Sequence, residues 1–227
     1  MKTKYFAVLT VFWLVAVPQT PASIIFNSTT QNSGNPINVT VPDGNPVGIQ
    51  NTLNVSGLAN LPSSGNNVTL TLNISGGNNG DLKAYLSYGG QIVQLLNRPG
   101  VVSGVNPLGY TDSGFNVTLS DGNPGNINTY GSISYTKSGG QVTGNYNPSA
   151  GATAFQSYNG MNPNGGWVLF IADMSGGDPD ESRLDSWSLT FDTITPVPEP
   201  VNVALGVFGV LFVTVALCRY QASKVGP

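Results

Sequence analysis

Val68, Leu70, Leu72 and Ile74 alternate with Thr69, Thr71 and Asn73, so an aliphatic set and a hydroxyl–amide set fall on opposite faces of one extended segment. Ser75-Gly76-Gly77-Asn78-Asn79-Gly80 then turns the chain. Further strands are predicted over Leu82–Tyr88 and, after Gly89-Gly90, over Ile92–Leu96. Phe115, Val117 and Leu119 alternate again and stop at Ser120-Asp121-Gly122. Residues 166–172, around Trp167-Val168-Leu169-Phe170-Ile171, read as a buried strand. Ser186–Phe191 is its expected partner, with Trp187, Leu189 and Phe191 on one face. No sustained helical period appears between these strands. The pattern predicts an all-β fold, an antiparallel β-sandwich of jelly-roll type.

Two apolar runs lie outside that pattern. Lys2 and Lys4 precede a run from Tyr5 to Val17, then Thr20-Pro21-Ala22, which predicts a secretory signal peptide over 1–22 cut after Ala22. An uncleaved anchor helix is the alternative. Residues 201–218 carry no charge and predict a marginal transmembrane helix, leaving 219–227 as a cytoplasmic tail with Arg219 and Lys224. Between them, 23–36 reads as linker, 37–193 as the sandwich and 194–200 as a proline-rich segment. Asp43-Gly44-Asn45-Pro46 and Asp121-Gly122-Asn123-Pro124 repeat a turn composition rather than a structural unit.

Composition narrows the chemistry. The 227 residues include 29 glycines and no histidine, and the single cysteine, Cys218, sits in the C-terminal apolar run. An internal disulfide is therefore impossible, a histidine-based triad is absent, and no zinc site is credible. Lys83 and Lys137 lie in settings that predict solvated cations, so a serine–lysine pair is disfavoured and no enzyme activity is expected. Lys83, Arg98, Lys137 and Arg183 face ten acids between Asp43 and Asp192, a formal charge of −6, which makes nucleic acid an improbable partner.

The acids themselves suggest one site. Asp173, Asp178, Asp180 and Glu181 flank Gly176-Gly177, with Asp81 and Asp112 expected near the same end of the sheets. Clustered loop oxygens suit Ca²⁺; solvated turn residues, one of them paired with Arg183, are the alternative. Tyr85, Tyr88, Tyr130, Tyr146 and Tyr158 offer aromatic platforms for sugars or, equally, strand and core residues. Six Asn-x-Ser/Thr sequons begin at Asn27, Asn38, Asn54, Asn67, Asn73 and Asn116.

Two resemblances follow from longer stretches. Asn162-Pro163-Asn164-Gly165-Gly166-Trp167-Val168-Leu169, then Asp173, Gly177-Asp178, Leu184 and Ser186-Trp187-Ser188-Leu189-Thr190-Phe191, resemble the end of the P domain (homo B domain) of subtilisin/kexin-type proprotein convertases. Gly80-Asp81-Leu82, Asp112-Ser113-Gly114-Phe115 and Gly144-Asn145-Tyr146-Asn147-Pro148 match the same pattern in order. The histidine that many members carry near Ile74 or Ser75 is missing. The resemblance implies a galactose-binding-like jelly roll that accompanies a serine endopeptidase domain, which this chain lacks. Val197-Pro198-Glu199-Pro200, the apolar run and Arg219 resemble a PEP-CTERM sorting tail. That likeness implies an exosortase-type partner, an inner-membrane intermediate, and display at the cell surface or in an extracellular matrix. The expected function is a non-catalytic module binding exopolysaccharide or a surface protein. An accessory subunit of a separate subtilisin-like serine protease is the alternative.

Overall fold

The computed structural model describes residues 22–177, 180–194, 208–217 and 219–220. Its strands are β1 (Ala22–Asn27), β2 (Val39–Thr40), β3 (Ile49–Val55), β4 (Val68–Ser75), β5 (Leu82–Tyr88) and β6 (Gln91–Asn97). They continue with β7 (Gly114–Ser120), β8 (Thr136–Ser138), β9 (Gln141–Tyr146), β10 (Gly165–Asp173) and β11 (Arg183–Ile194). One sheet has the order β1-β11-β4-β7-β9-β8, with β2 also on β11; the other has the order β3-β10-β5-β6.

The alternation seen in the sequence explains the layering. Along β4, Val68, Leu70, Leu72 and Ile74 are fully buried while the intervening Thr69, Thr71 and Asn73 are half-buried. Leu82, Ala84 and Leu86 of β5 and Trp167, Leu169 and Ile171 of β10 face them from the other sheet, all with no exposed surface. Each such aliphatic side chain contributes about 1.5–3 kcal/mol on burial, and the sandwich is held by their sum. Trp167 is a pivot of the aromatic core. Its ring stacks on Tyr88 at 4.1 Å and meets Tyr158 and Phe191 edge-on at 4.8 and 5.4 Å.

Several expectations are corrected. Residues 166–172 and 186–191 are not partners: β10 pairs with β3 and β5, and β11 with β1, β2 and β4. Their apolar faces meet across the core instead of along one sheet, so similar alternation had suggested a pairing that does not form. The sandwich is not wholly antiparallel, because β7 and β9 run parallel. A long connection containing a 3-10 segment (Ile127–Ser132) separates them, where a hairpin would have forced antiparallel pairing. The stretch 23–36, expected as linker, holds most of β1 and the helical turn α1 (Ser28–Gln31). Ala22, the expected last residue of the leader, opens β1; the rest of the leader lies outside the described residues. So does the sorting motif Val197-Pro198-Glu199-Pro200. Of the expected transmembrane run, 208–217 is helical, and among the described residues no helix is long and apolar enough to cross a membrane.

Candidate functional site

On the outer face of the four-stranded sheet, register brings two rows of side chains together. Gln50 of β3 lies opposite Phe170 of β10, Phe170 opposite Tyr85 of β5, and Tyr85 opposite Gln94 of β6. The row thus runs carboxamide, ring, ring, carboxamide. In the adjoining row Thr52 faces Val168, Val168 faces Ser87, and Ser87 faces Ile92. The Tyr85 and Phe170 rings are 6.1 Å apart and tilted by 43°. Gln94 Nε2 donates to the Tyr85 hydroxyl at 2.9 Å, which fixes that ring's polar end. Ile92 is 69% exposed, so nothing in the described chain covers this side. Gln50, Phe170 and Tyr85 of one row and Val168, Ser87 and Ile92 of the other floor an open depression of about 510 Å³.

Neither row carries a charge. An uncharged apolar strip with amides at both ends favours a ligand that offers both C–H faces and hydroxyls. Of the five tyrosines considered as platforms, only Tyr85 serves this face. Tyr130 and Tyr158 are fully buried, Tyr146 nearly so, and Tyr88 is held by Trp167 and by bonds to the Asn162 and Asn164 carbonyls. Burial raises the phenol pKa of Tyr88, Tyr130, Tyr146 and Tyr158 above the ordinary value.

Several of the expected calcium ligands make contacts of their own among the described residues. Asp81 is buried and meets Arg98 at 3.2 Å, while Arg98 Nε also donates to the Gly80 carbonyl. Asp173, 1% exposed, accepts from the Ser175 amide at 3.1 Å. Asp112 is taken up by Lys137 Nζ at 2.8 Å and by the hydroxyls of Tyr130 and Tyr135 at 2.8 and 3.3 Å. Burial pulls the Asp112 carboxyl upward, but the Lys137 and Tyr130 hydrogen bonds, the Lys137 charge and the Tyr135 bond outweigh it and hold it below the usual range. Asp180 borders a small depression with Gly77, Asn78, Thr111 and Ser113, Glu181 is exposed, and Asp178 lies outside the described residues. Among the described residues no three acidic, histidine or cysteine side chains converge to hold a metal.

One organising residue reads in the sequence only as part of a turn. Asn79 is fully buried, accepts from the Gly114 amide at 2.9 Å and donates to the Gly114 carbonyl and the Tyr130 hydroxyl. Gly114 is required there: its φ is +94°, and a Cβ would sit 2.1 Å from the Ile74 oxygen.

The residues behind the P-domain resemblance are structural in this molecule. Trp167, Trp187, Leu189 and Phe191 are core, Trp167 Nε1 donates to the Pro163 carbonyl, and Asn164 bonds Leu58 through both its carbonyl and amide groups. No protein-family model matches the chain, and no curated protein matches it. Among solved structures, a chain in the complex of the Aeromonas sobria serine protease (ASP) with its chaperone (ORF2) is similar at a TM-score of 0.43 and 12% identity. That similarity takes in 78% of this chain and 28% of the other, so this chain spans little more than a quarter of it.

Proposed function

We propose that this chain is an exported, non-catalytic β-sandwich module that binds a neutral polysaccharide across the outer face of its four-stranded sheet. The observation that carries the reading is the row Gln50–Phe170–Tyr85–Gln94. Two neighbouring rings give a sugar's C–H face a dry surface, and the flanking carboxamides bond its hydroxyls. A neutral chain is favoured over a polyanionic one because the sandwich as a whole carries more acids than cations. In this reading the leader takes the domain out of the cytoplasm, and the tail from Val197 onward is the signal for an exosortase-type enzyme that leaves it in the matrix.

Affinity electrophoresis of the full chain through gels containing neutral or acidic polysaccharides tests the proposal. Neutral polymers should retard the protein, and Tyr85→Ala or Phe170→Ala should abolish the retardation with folding intact. Unimpeded migration through every polymer, or retardation that both variants retain, overturns it. The accessory-subunit reading makes a different forecast: co-purification with a subtilisin-like protease from the native envelope, independent of Tyr85.

A further inference from the structure

The two edges of the four-stranded sheet are closed to very different extents. At the β6 edge the Asn128 carboxamide bonds both the amide and the carbonyl of Asn97, at 3.0 and 3.1 Å. The amides of Ala150 and Ser149 then take the Gln94 and Leu95 carbonyls at 3.0 and 2.9 Å. At the β3 edge the same device appears once. The Gln31 carboxamide accepts from the Asn54 amide at 3.0 Å and donates to the Asn54 carbonyl at 2.6 Å. Main-chain groups on a strand point alternately left and right, so Gln50 and Thr52 present theirs on the same side as Asn54. Among the described residues β3 pairs only with β10, on its other side.

Beside that open stretch runs a cleft of about 400 Å³, walled by Ile37 and Val39 across from Asn51, Thr52 and Asn54, with Gln31 at one end. A carboxamide is chemically a peptide group, and one already docks on this edge in the geometry of a neighbouring strand. We propose that the β3 edge binds an extended peptide from another protein, which adds a strand to the sheet through the main-chain groups of Thr52 and Gln50. Every second side chain of the guest enters the cleft, where Ile37 and Val39 sit among the polar Ser28, Gln31, Asn32, Asn51, Thr52 and Asn54, which selects small side chains such as threonine and valine there. The intervening side chains lie on the outer face beside Gln50 and Thr52. A second copy of this chain fits less well: a two-fold pairing centred on Thr52 sets each Asn54 against Gln50 of the other copy, and Gln31 already holds Asn54. The proposal does not depend on the polysaccharide reading, since the edge uses the main-chain groups of Gln50 and Thr52 at the rims of the two rows and neither ring.

The probe is a blocked heptapeptide of alternating threonine and valine with a lysine at each end, titrated into the full ¹⁵N-labelled chain. Saturable shifts and slowed hydrogen exchange at the Gln50 and Thr52 amides are expected. Thr52→Pro removes the outward N–H at a position where an edge strand tolerates proline, and should weaken the peptide about tenfold. Gln31→Ala frees Asn54 and should tighten it. Should Thr52→Pro fail to fold, the peptide N-methylated on every second amide supplies the same test with the wild-type chain and must lose binding in one of its two methylation phases. Tyr85→Ala should leave peptide affinity unchanged, which separates this site from the glycan face. Undiminished affinity in both methylation phases, shifts confined to Tyr85 and Phe170, or self-association of the wild-type chain through β3 would each overturn the proposal.

Discussion

The two sheets bury the same kind of residue and show solvent different ones. Across the centre of the larger sheet the outward rows are hydroxyls: Thr71 lies between Thr118 and Ser188, and Thr69 between Ser120 and Thr190, with the exposed Ile25 only at the β1 rim. Across the smaller sheet the corresponding centre is Phe170, Tyr85 and Val168. Foldability needs only the inner half of this pattern, because the core is satisfied by leucine, isoleucine, valine and tryptophan from both sides. A water-facing strand position has no such requirement. Where one sheet meets water with threonine and the other with a ring pair, the second choice calls for an explanation outside folding.

The comparison can be attacked in four ways, taken here from the largest effect down. Leu70→Ala and Leu169→Ala, one on each inner face, should both cost about 2–5 kcal/mol in chemical denaturation, because both residues are fully buried. A large inequality between them would show that the sheets do not share one core. On the outer faces Phe170→Ala should abolish the retardation by polysaccharide, a loss of more than about tenfold or 1.4 kcal/mol in affinity, and lower stability by less than the inner substitutions. Asp112→Asn tests the polar end of the sandwich. Because the folded carboxyl titrates below its ordinary value, its contribution is present above the unfolded pKa and fades as pH falls through the folded one. Denaturation midpoints of the variant should thus fall less steeply than wild type in the acid range below about pH 4. Asp121, whose carboxyl burial raises against the amides of Phe155, Gln156 and Ala154, contributes with the opposite sign. Finally, Thr71→Ala should shift stability by no more than about 0.5 kcal/mol and leave retardation by polysaccharide unaltered; lost retardation would move the binding face to the other sheet.

How much of this was legible depends on how local each cause is. β4, β5, β6 and β7 appear in the sequence within a residue or so, since alternation along one strand suffices to define them. β3 does not, because Asn51 interrupts its apolar set at an inward position. The reason is tertiary: Asn51 Oδ1 receives the Trp187 indole N–H at 2.7 Å. β1 escaped because Ile24 and Ile25 are adjacent, so no alternation shows, and Ile25, opposite Thr190, is 63% exposed. The ring row is hidden for a further reason. Tyr85 was among the candidate platforms, but Phe170 sits inside what reads as a continuously buried strand. Only the insertion of β10 between β3 and β5 reveals that Phe170 faces outward next to Tyr85. Core composition is written along the chain; adjacency across strands is not.

The positions of β10 and β11 also govern the order in which the molecule can be completed during synthesis. Among the described strands they are made last, yet β10 occupies an interior place in the smaller sheet and β11 an interior place in the larger. Until the ribosome has delivered Ile194, both layers are split, with β3 cut off from β5 and β1 from β4. A growing polypeptide of this kind cannot close either layer until both late strands have emerged.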